Sequence, residues 1–440
     1  MTPFQLGLLS FPAMLFLVAL RIPLAAAMFI VGLAGTYILT GDGRMMDNQL
    51  KTFAYRIFSN YSLSIIPLFL LMSEFATRGG MSTALFKAAE TWLGHRRGGL
   101  AYASIGASAG FGAICGSSLA TASSMGRVAL PELKRAGYSG SLSTGALAAG
   151  GTLGILIPPS IVLVIYAILA EQNIEKLFTA ALLPAIIAIV GYFATIAIYT
   201  RWNDDWGKRL PRAPRAERLE ALVPVWPVLL IFAIVIGGIY AGFFSPTAAA
   251  AIGAAGTAIV AFANKSLNLD TLKASLLGTA RNTGMIFLII LAAAVFNSFL
   301  AAAQVPQTLA GILLEGAYNP WVILCGILLL YLLLGMIMDS LAMIFLTVPI
   351  FVPIVTQLDF GIAPEEVGIW FGILVLMAAE VGLITPPVGL NLFVINALAK
   401  DVTIGQTYKG ALPFVVSDII RIAVLAAFPA VTLGLVRWLY

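Results

Sequence analysis

The stretch Gly154-Ile-Leu-Ile-Pro158-Pro159 recurs 228 residues later as Gly382-Leu-Ile-Thr-Pro386-Pro387. Proline lacks an amide hydrogen and its ring collides with the carbonyl four residues earlier, so a Pro-Pro pair interrupts a helix. The two pairs therefore predict two broken helices. Because the same motif stands at two places, it also predicts a chain built from two related halves.

The broken helices predict carbonyl oxygens without helical partners. In the first these are the carbonyls of Gly154 and Ile155, and in the second those of Gly382 and Leu383. Inside a membrane such groups persist only where they line a cavity or hold an ion. Two ordinary proline kinks are the alternative, but a pair of breaks at equivalent places favours an ion site.

Composition predicts a membrane protein. The chain is 60% hydrophobic and 10% charged, whereas soluble domains carry about 25% charged residues. Apolar stretches such as 4–20, 225–241 and 321–338 are long enough to cross ~30 Å of hydrocarbon, and they recur to the C-terminus. We therefore expect an all-α, multi-pass protein embedded in the lipid of the bacterial inner membrane, with its first apolar stretch a span and not a cleaved signal.

Two other classes are not indicated. The chain has no Gly-x-x-x-x-Gly-Lys-Ser/Thr motif, so it is not expected to hydrolyse ATP. Its basic residues lie in loops, where they are better explained by membrane orientation than by nucleic acid. We expect a transporter and not an enzyme.

Shorter matches extend the duplication along the chain. Their offsets lie between 221 and 229 residues: Ser118-Leu119-Ala120 with Ser340-Leu341-Ala342, Pro131 with Pro353, Pro184 with Pro413, Pro23 with Pro246, and Gly35-Thr36 with Gly256-Thr257. We place the first repeat at 1–200, a basic cytoplasmic linker at 201–221 and the second repeat at 222–440.

The distribution of lysine and arginine predicts opposite orientations for the two halves. Basic residues are enriched in cytoplasmic loops. Four of them flank the apolar stretch 98–133, whereas only acidic residues flank 321–355. The first stretch would enter from the cytoplasm and the second from the periplasm. This is an inverted repeat, the recurring design of secondary transporters. The segment 44–56 has three basic residues in a loop predicted to be periplasmic, and we interpret it as an amphipathic helix at the interface.

Each half also contains two short apolar arms joined by a small polar tip, Gly116-Ser117-Ser118 in the first and Asp339-Ser340 in the second. This pattern predicts a re-entrant hairpin in each half. A helix-packing seam of small residues is the alternative for the first tip. Asp339 favours a functional tip, because an ionisable group within the membrane is costly unless it has a role.

The hairpin tips and the broken helices together predict two Na⁺ sites, because clusters of carbonyl and hydroxyl oxygens suit this ion. The predicted ligands of the first ion are Ser117, Ser118, Gly154, Ile155 and Pro158. The predicted ligands of the second are Asp339, Ser340, Gly382, Leu383, Thr385 and Pro386. No organic cofactor is expected.

Substrate contacts are predicted on the second arm of the first hairpin. Half-helix N–H groups favour a carboxylate, and Arg127 is a permanent cation beside the hydroxyls of Thr121 and Ser124. A structural ion pair with Glu132 is an equal alternative for Arg127. Two further carboxyls, Glu74 and Glu380, are either ion-site or proton-site residues or are satisfied by packing.

The motifs resemble the large membrane subunit of the tripartite ATP-independent periplasmic (TRAP) transporters along essentially the whole chain. They are Gly116-Ser-Ser118 with Gly126-Arg127 and Leu130-Pro131, Gly154-Ile-Leu-Ile-Pro-Pro-Ser160, Gly237-Gly-Ile-Tyr-Ala-Gly-Phe-Phe-Ser-Pro-Thr247, and Gly382-Leu-Ile-Thr-Pro-Pro-Val-Gly-Leu-Asn-Leu-Phe393. The resemblance implies an elevator mechanism, in which hairpins and broken helices carry an organic acid and two Na⁺ past a fixed scaffold. It also implies a periplasmic binding protein that delivers the substrate and a small membrane subunit of about four helices. We expect that subunit to be a separate chain.

Two other functions compete with this one. A stand-alone sodium/dicarboxylate symporter of the same broad architecture would need no binding protein. A channel or passive assembly subunit would show no sodium-driven uptake. The substrate stays open among sialic acid, C4-dicarboxylates and other carboxylates or sulfonates.

Overall fold

The computed structural model describes residues 1–202, 207–316 and 318–440, and within these ranges all regular structure is helical. The first half contains α1 (Pro3–Ala19), α2 (Leu24–Thr40), α3 (Arg44–Phe58), α4 (Ile65–Arg78), α5 (Met81–Leu93), α6 (Gly99–Cys115), α7 (Ser118–Arg135), α8 (Gly140–Leu156), α9 (Ile161–Leu169) and α10 (Ile174–Trp202). A short helix, α11 (Arg215–Glu220), lies in the linker. The second half contains α12 (Trp226–Tyr240), α13 (Pro246–Ala263), α14 (Leu269–Ala302), α15 (Val305–Glu315), α16 (Pro320–Gly335), α17 (Ser340–Val355), α18 (Pro364–Leu383), α19 (Leu390–Leu398), α20 (Ile404–Ala427) and α21 (Pro429–Leu439).

Helix length and composition agree with a multi-pass membrane protein. In the described ranges five helices, α10, α13, α14, α18 and α20, are long and apolar enough to cross a membrane, and up to seven spans result if each of two bent pairs is one span. One bent pair is α8–α9, which turns by 46° at the first Pro-Pro motif. The predicted all-α membrane fold is confirmed.

The same order of helices occurs in both halves. The tip residues separate α6 from α7 and α16 from α17, and the Pro-Pro motifs separate α8 from α9 and α18 from α19. A long helix follows each broken helix, α10 in the first half and α20 in the second. Both Pro-Pro peptide bonds are cis. The opposite membrane orientation of the halves stays a prediction.

Glycines bring each hairpin into backbone contact with its own broken helix. A methyl group added to Gly112 on α6 would lie 2.6 Å from the Cα of Gly154 on α8. In the second half, a methyl group on Gly382 of α18 would lie 2.5 Å from Gly335 of α16. Only glycine permits these approaches, so each hairpin and the first segment of its broken helix form one packed body.

In a second set of helices, each packed pair consists of one helix from each half. Helix α2 packs along α14, where a methyl group on Gly32 would lie 3.0 Å from the Phe296 backbone. Helix α13 packs along α4, where a methyl group on Gly253 would lie 2.4 Å from Met72 Sδ. We call α1–α4 and α12–α14 the scaffold. Helix α3 is the amphipathic helix predicted at 44–56.

The linker is ordered where the structure describes it; residues 203–206 of the predicted span 201–221 lie outside the described residues. Its backbone pairs with the loop between α5 and α6, through Gly98 N to Gly207 O at 3.3 Å and Leu210 N to Gly94 O at 3.0 Å. Trp92 Nε1 also donates to the carbonyl of Arg218 at 3.0 Å. The linker is therefore bound to the base of the first hairpin.

Candidate ion and substrate site

The two hairpin tips meet at one cavity of about 330 Å³. It is lined by 116–120 from the first tip and 339–341 from the second, with Ile155 and Leu383 from the two broken helices. Scaffold helices close the remaining side, with Leu70 from α4 and Asn282 from α14. Residues predicted from two distant parts of the sequence thus share one site.

Each tip begins a helix whose first N–H groups lie beside this cavity. Ser117 caps α7, because its hydroxyl accepts from Ala120 N at 3.5 Å. Asp339 caps α17 in the same way, with Oδ1 accepting from Ala342 N at 3.0 Å. The helix N-termini favour negative charge. Part of the hydrogen-bonding capacity of Ser117 and Asp339 is therefore used in capping.

The first broken helix matches its prediction. The last regular bond of α8 joins Ile157 N to Leu153 O at 3.1 Å, and prolines occupy the positions that would donate to Gly154 and Ile155. The chain resumes as α9, which is capped by Ser160: the Ser160 hydroxyl accepts from Leu163 N at 3.3 Å.

The second broken helix differs from its prediction at Gly382. The chain tightens after α18, so the Gly382 carbonyl accepts from Thr385 N at 3.1 Å, and the prediction that this carbonyl lacks a partner is wrong. The Thr385 hydroxyl, a predicted Na⁺ ligand, donates to Val381 O at 2.6 Å. Its oxygen still has free lone pairs, so it can accept a cation as well.

Ser118 and Ser340 are both buried, at 1% and 4% exposure, and each follows the capping residue of its tip. The Ser118 hydroxyl donates to Oε2 of Glu380 on α18, a bond that links the first half to the second. The Ser340 hydroxyl lies beside the same carboxyl. The sequence could not predict this contact, because it depends on how the halves pack.

A second, more polar cavity of about 390 Å³ adjoins the first and shares Ser117, Ala120 and Asn282 with it. Two predicted substrate residues, Ser124 and Arg127, line this cavity. The predicted ion pair between Arg127 and Glu132 is wrong, because Glu132 pairs with Arg135 instead, at 2.8 Å. Within the described ranges no ion pair involves Arg127.

Thr121 occupies a different place from Ser124. It is fully buried, and its Oγ1 would lie 2.4 Å from a methyl group on Gly154. It lines neither the tip cavity nor its polar neighbour. The structure therefore puts Thr121 beside the carbonyls of the first predicted ion site, and its predicted substrate contact has no geometric support.

Two scaffold residues in the polar cavity, Arg78 and Asn282, were missed by sequence reasoning, whereas Glu74 was a candidate. Arg78 on α4 pairs with Glu74 at 3.1 Å, and both line the polar cavity with Asn282 of α14. Asn282 follows Arg281 at the start of an apolar run, and this polar pair inside a span was the available signal.

A third cavity, of about 510 Å³, lies between the first hairpin and the loop before α20, and Arg127 lines it as well. Its rim includes the pair Lys134–Asp401, with Nζ and Oδ2 separated by 2.9 Å. The hydrogen bond from Lys134 lowers the pKa of Asp401, and burial raises the pKa of Tyr138 to about 12. Arg127 therefore lines both the polar cavity beside the tips and this third cavity.

Helix N-termini, hydroxyls, an amide and a guanidinium around adjoining cavities are features of a membrane transport protein. Comparison with known proteins agrees. Residues 11–431 match the family Tripartite ATP-independent periplasmic transporter, DctM component. The chain belongs to this family, as the motifs had indicated, and it is an inner-membrane transport component, not an enzyme.

Individual relatives cover most of the chain. It is 36% identical over 396 residues to the C4-dicarboxylate TRAP transporter large permease protein DctM of Pseudomonas aeruginosa, covering 89% of this chain and 91% of that protein. It is 30% identical over 419 residues to the sialic acid TRAP transporter permease protein SiaT of Haemophilus influenzae, covering 95% of this chain and 66% of the longer relative.

A solved structure shows the same fold. The YdaH transporter of Alcanivorax borkumensis superposes with a TM-score of 0.66 at 15% identity, covering 92% of this chain and 98% of the other. TRAP transporters in general pair a large permease with a small membrane subunit and a periplasmic binding protein.

Proposed function

We propose that the protein takes up a small organic acid anion by symport with Na⁺, using an elevator mechanism. The observation that carries the proposal is the convergence of both hairpin tips and both broken helices on one cavity of about 330 Å³. Relatives are named for C4-dicarboxylate, sialic acid and isethionate, all of them small organic anions.

Two coupling ions would bind where each tip meets its own broken helix. The first would use the carbonyls of Gly154 and Ile155 with the Ser118 hydroxyl, and the second would use Ser340 and Thr385 with carbonyls near Leu383. These are oxygen ligands within the membrane, which suit a hard monovalent cation. The Gly382 carbonyl already accepts one bond, so its contribution would come from the remaining lone pair.

The anion would bind in the polar cavity beside the tips. Ser124 and Arg127 lie on the hairpin side of this cavity, and Asn282 lies on the scaffold side. Arg127 has no ion pair in the described part of the chain, so its guanidinium is available for a carboxylate, which it can hold through two parallel hydrogen bonds. C4-dicarboxylates and sialic acid both carry such a group.

Packing supports an elevator movement. Glycine contacts fix each hairpin against its broken helix, whereas α2–α14 and α4–α13 form the separate scaffold. The site lies between these two parts, with α4 and α14 forming one wall. Movement of the hairpin body along that wall would carry the site across the membrane.

The proposed partners are a small membrane subunit on a separate chain and a periplasmic binding protein. The isethionate relative of Oleidesulfovibrio alaskensis is longer, and this chain covers 64% of it. That difference leaves room in the relative for a fused small subunit.

Reconstituted uptake tests the proposal. Proteoliposomes containing the chain and its small subunit would receive a panel of radiolabelled organic acids, with and without a Na⁺ gradient and the binding protein. We expect uphill uptake only when both are present. Equal uptake without Na⁺ would exclude symport with this ion, and rapid Na⁺-driven uptake by the chain alone would favour the stand-alone symporter.

A further inference from the structure

A buried carboxyl group, Glu380, joins the two halves of the protein at the hairpin tips. Its side chain lies on α18 and is 2% exposed. Oε2 accepts from the Ser118 hydroxyl of the first tip, and the Ser340 hydroxyl of the second tip lies beside the same group. Oε1 is buried and accepts no hydrogen bond from any described residue. This side chain lines neither the tip cavity nor the polar cavity.

The duplication shows that this position is special in the second half. Glu380 corresponds to Thr152 at the offset of 228 that relates the Pro-Pro motifs, and Arg421 corresponds to Tyr192 at the offset of 229 that relates Pro184 to Pro413. Thr152 and Tyr192 form a neutral hydrogen bond of 2.8 Å between their oxygens. At the equivalent place the second half has two charged residues.

The charges around Glu380 do not balance. Arg421 is engaged by Asp418, with 2.9 Å between Nη2 and Oδ1, and both are buried. Tyr192 also donates to Asp418 Oδ2 at 2.7 Å. Asp418 and Arg421 are within electrostatic range of Glu380 and act on it in opposite directions. A carboxyl group so deeply buried either holds a proton or needs a positive partner, because an uncompensated buried charge is strongly destabilising.

We propose that Glu380 is the shared positioning residue of the two cation sites and supplies the negative charge that the bound ions neutralise. The inference rests on the proposed symport with Na⁺. By accepting the hydrogen bond that the Ser118 hydroxyl donates, the carboxylate orients the lone pairs of the hydroxyl oxygen away from itself and towards a cation. Ser340 lies where it can be oriented in the same way. One carboxylate between two tips would make occupancy of each site depend on the other.

Thermal unfolding of the purified full chain tests this role separately from transport. The wild type, Glu380→Gln and the control Glu90→Gln would be compared over a NaCl titration, with choline chloride holding ionic strength constant. Glu90 is a half-buried carboxyl on α5, away from the tips. We expect Na⁺ to raise the unfolding temperature of the wild type and of Glu90→Gln. Glu380→Gln should need at least about tenfold more Na⁺, equivalent to ~1.4 kcal/mol.

A structural role would give a different signature. Without Na⁺, Glu380→Gln should unfold at or above the wild-type temperature, because the neutral amide carries no charge that burial would penalise. A loss of stability that is equal with and without Na⁺ would overturn the proposal. Glu380→Asp, which keeps the charge, should retain a Na⁺ response. If Glu380→Gln does not fold, Ser118→Ala provides the test, and an unchanged Na⁺ response in that variant would refute the role.

The two proposals fail in distinguishable ways. A wild type that shows neither Na⁺-dependent stabilisation nor Na⁺-driven uptake would overturn both. A wild type that responds, together with a Glu380→Gln variant that responds at the same Na⁺ concentration, would overturn only the role of Glu380.

Discussion

Arg127 illustrates how a single side chain connects the cavities of this protein. Its guanidinium lines both the polar cavity beside the tips and the larger cavity near Asp401. Because Glu132 is paired with Arg135, the charge of Arg127 is not used in an ion pair with that neighbour. The residue is therefore placed to meet an anion on either side of the hairpin arm.

Replacement of Arg127 by lysine should impair uptake while the protein remains folded. Lysine keeps the charge but loses the planar fork that holds a carboxylate with two bonds. We expect uptake at subsaturating substrate to fall about tenfold or more, the cost of one charge-assisted bond. Arg135→Lys is the matched control on the same helix, and its uptake should be unchanged. Wild-type uptake by Arg127→Lys would remove this residue from the substrate site.

Replacement of Ser118 or Ser340 by alanine should raise the Na⁺ concentration needed for half-maximal uptake. Each variant loses one hydroxyl oxygen beside the Glu380 carboxyl, and we expect a shift of at least several-fold, about 1 kcal/mol per lost bond. Ser104→Ala is the control, because the Ser104 hydroxyl donates to Leu100 O of its own helix, at 2.8 Å. Identical Na⁺ dependence in all three variants would reduce the tip serines to packing residues.

At the scale of the element, the fit between hairpin and broken helix is decided by glycine. Gly154→Ala would place a methyl group 2.4 Å from Thr121 Oγ1, and Gly382→Ala would place one 2.5 Å from the Gly335 backbone. Both should lower the unfolding temperature, since overpacking costs about 1–3 kcal/mol. Gly326→Ala on α16 is the control, because no described atom beyond the adjacent backbone of α16 lies within 4 Å of its added methyl group. Equal unfolding temperatures in the three variants would contradict this packing.

Sequence reasoning succeeded where local chemistry decides structure. Paired prolines must interrupt a helix, and the polar tips that contain Ser117 and Asp339 do separate two helical arms in each half. It failed at the Gly382 carbonyl, because the chain can satisfy that group by tightening its last turn. It also missed Arg78 and Asn282, whose role in the cavity depends on which faces of α4 and α14 meet the hairpin. A local sequence motif does not determine how distant elements pack against one another.

At the scale of the whole molecule, the two halves share an order of helices but differ in charge at corresponding places. The first half has the neutral Thr152–Tyr192 bond where the second has Glu380 and Arg421. If the two halves are repeats, as we predict, they can place similar oxygen ligands at both tips while one half supplies the buried charge. Such asymmetry lets the two proposed ion sites differ in affinity although their surroundings are related.

The opposite orientation of the halves is the property on which alternating access depends, and it can be tested directly. We predict that residues 134–140 face the cytoplasm and 357–367 the periplasm, because basic residues flank only the first hairpin. Arg135→Cys and Asp359→Cys would each be introduced into a Cys325→Ser background, since Cys325 is exposed and Cys115 is buried.

A membrane-impermeant maleimide should label Asp359→Cys in spheroplasts and Arg135→Cys only in inverted vesicles. Both positions are exposed in the structure, so a failure to react from one side would report the membrane barrier and not burial within the protein. Labelling of both cysteines from the same side would mean that the halves are parallel. In that case the two hairpins would enter from one face, and movement of the hairpin body could not expose the shared cavity alternately to each compartment.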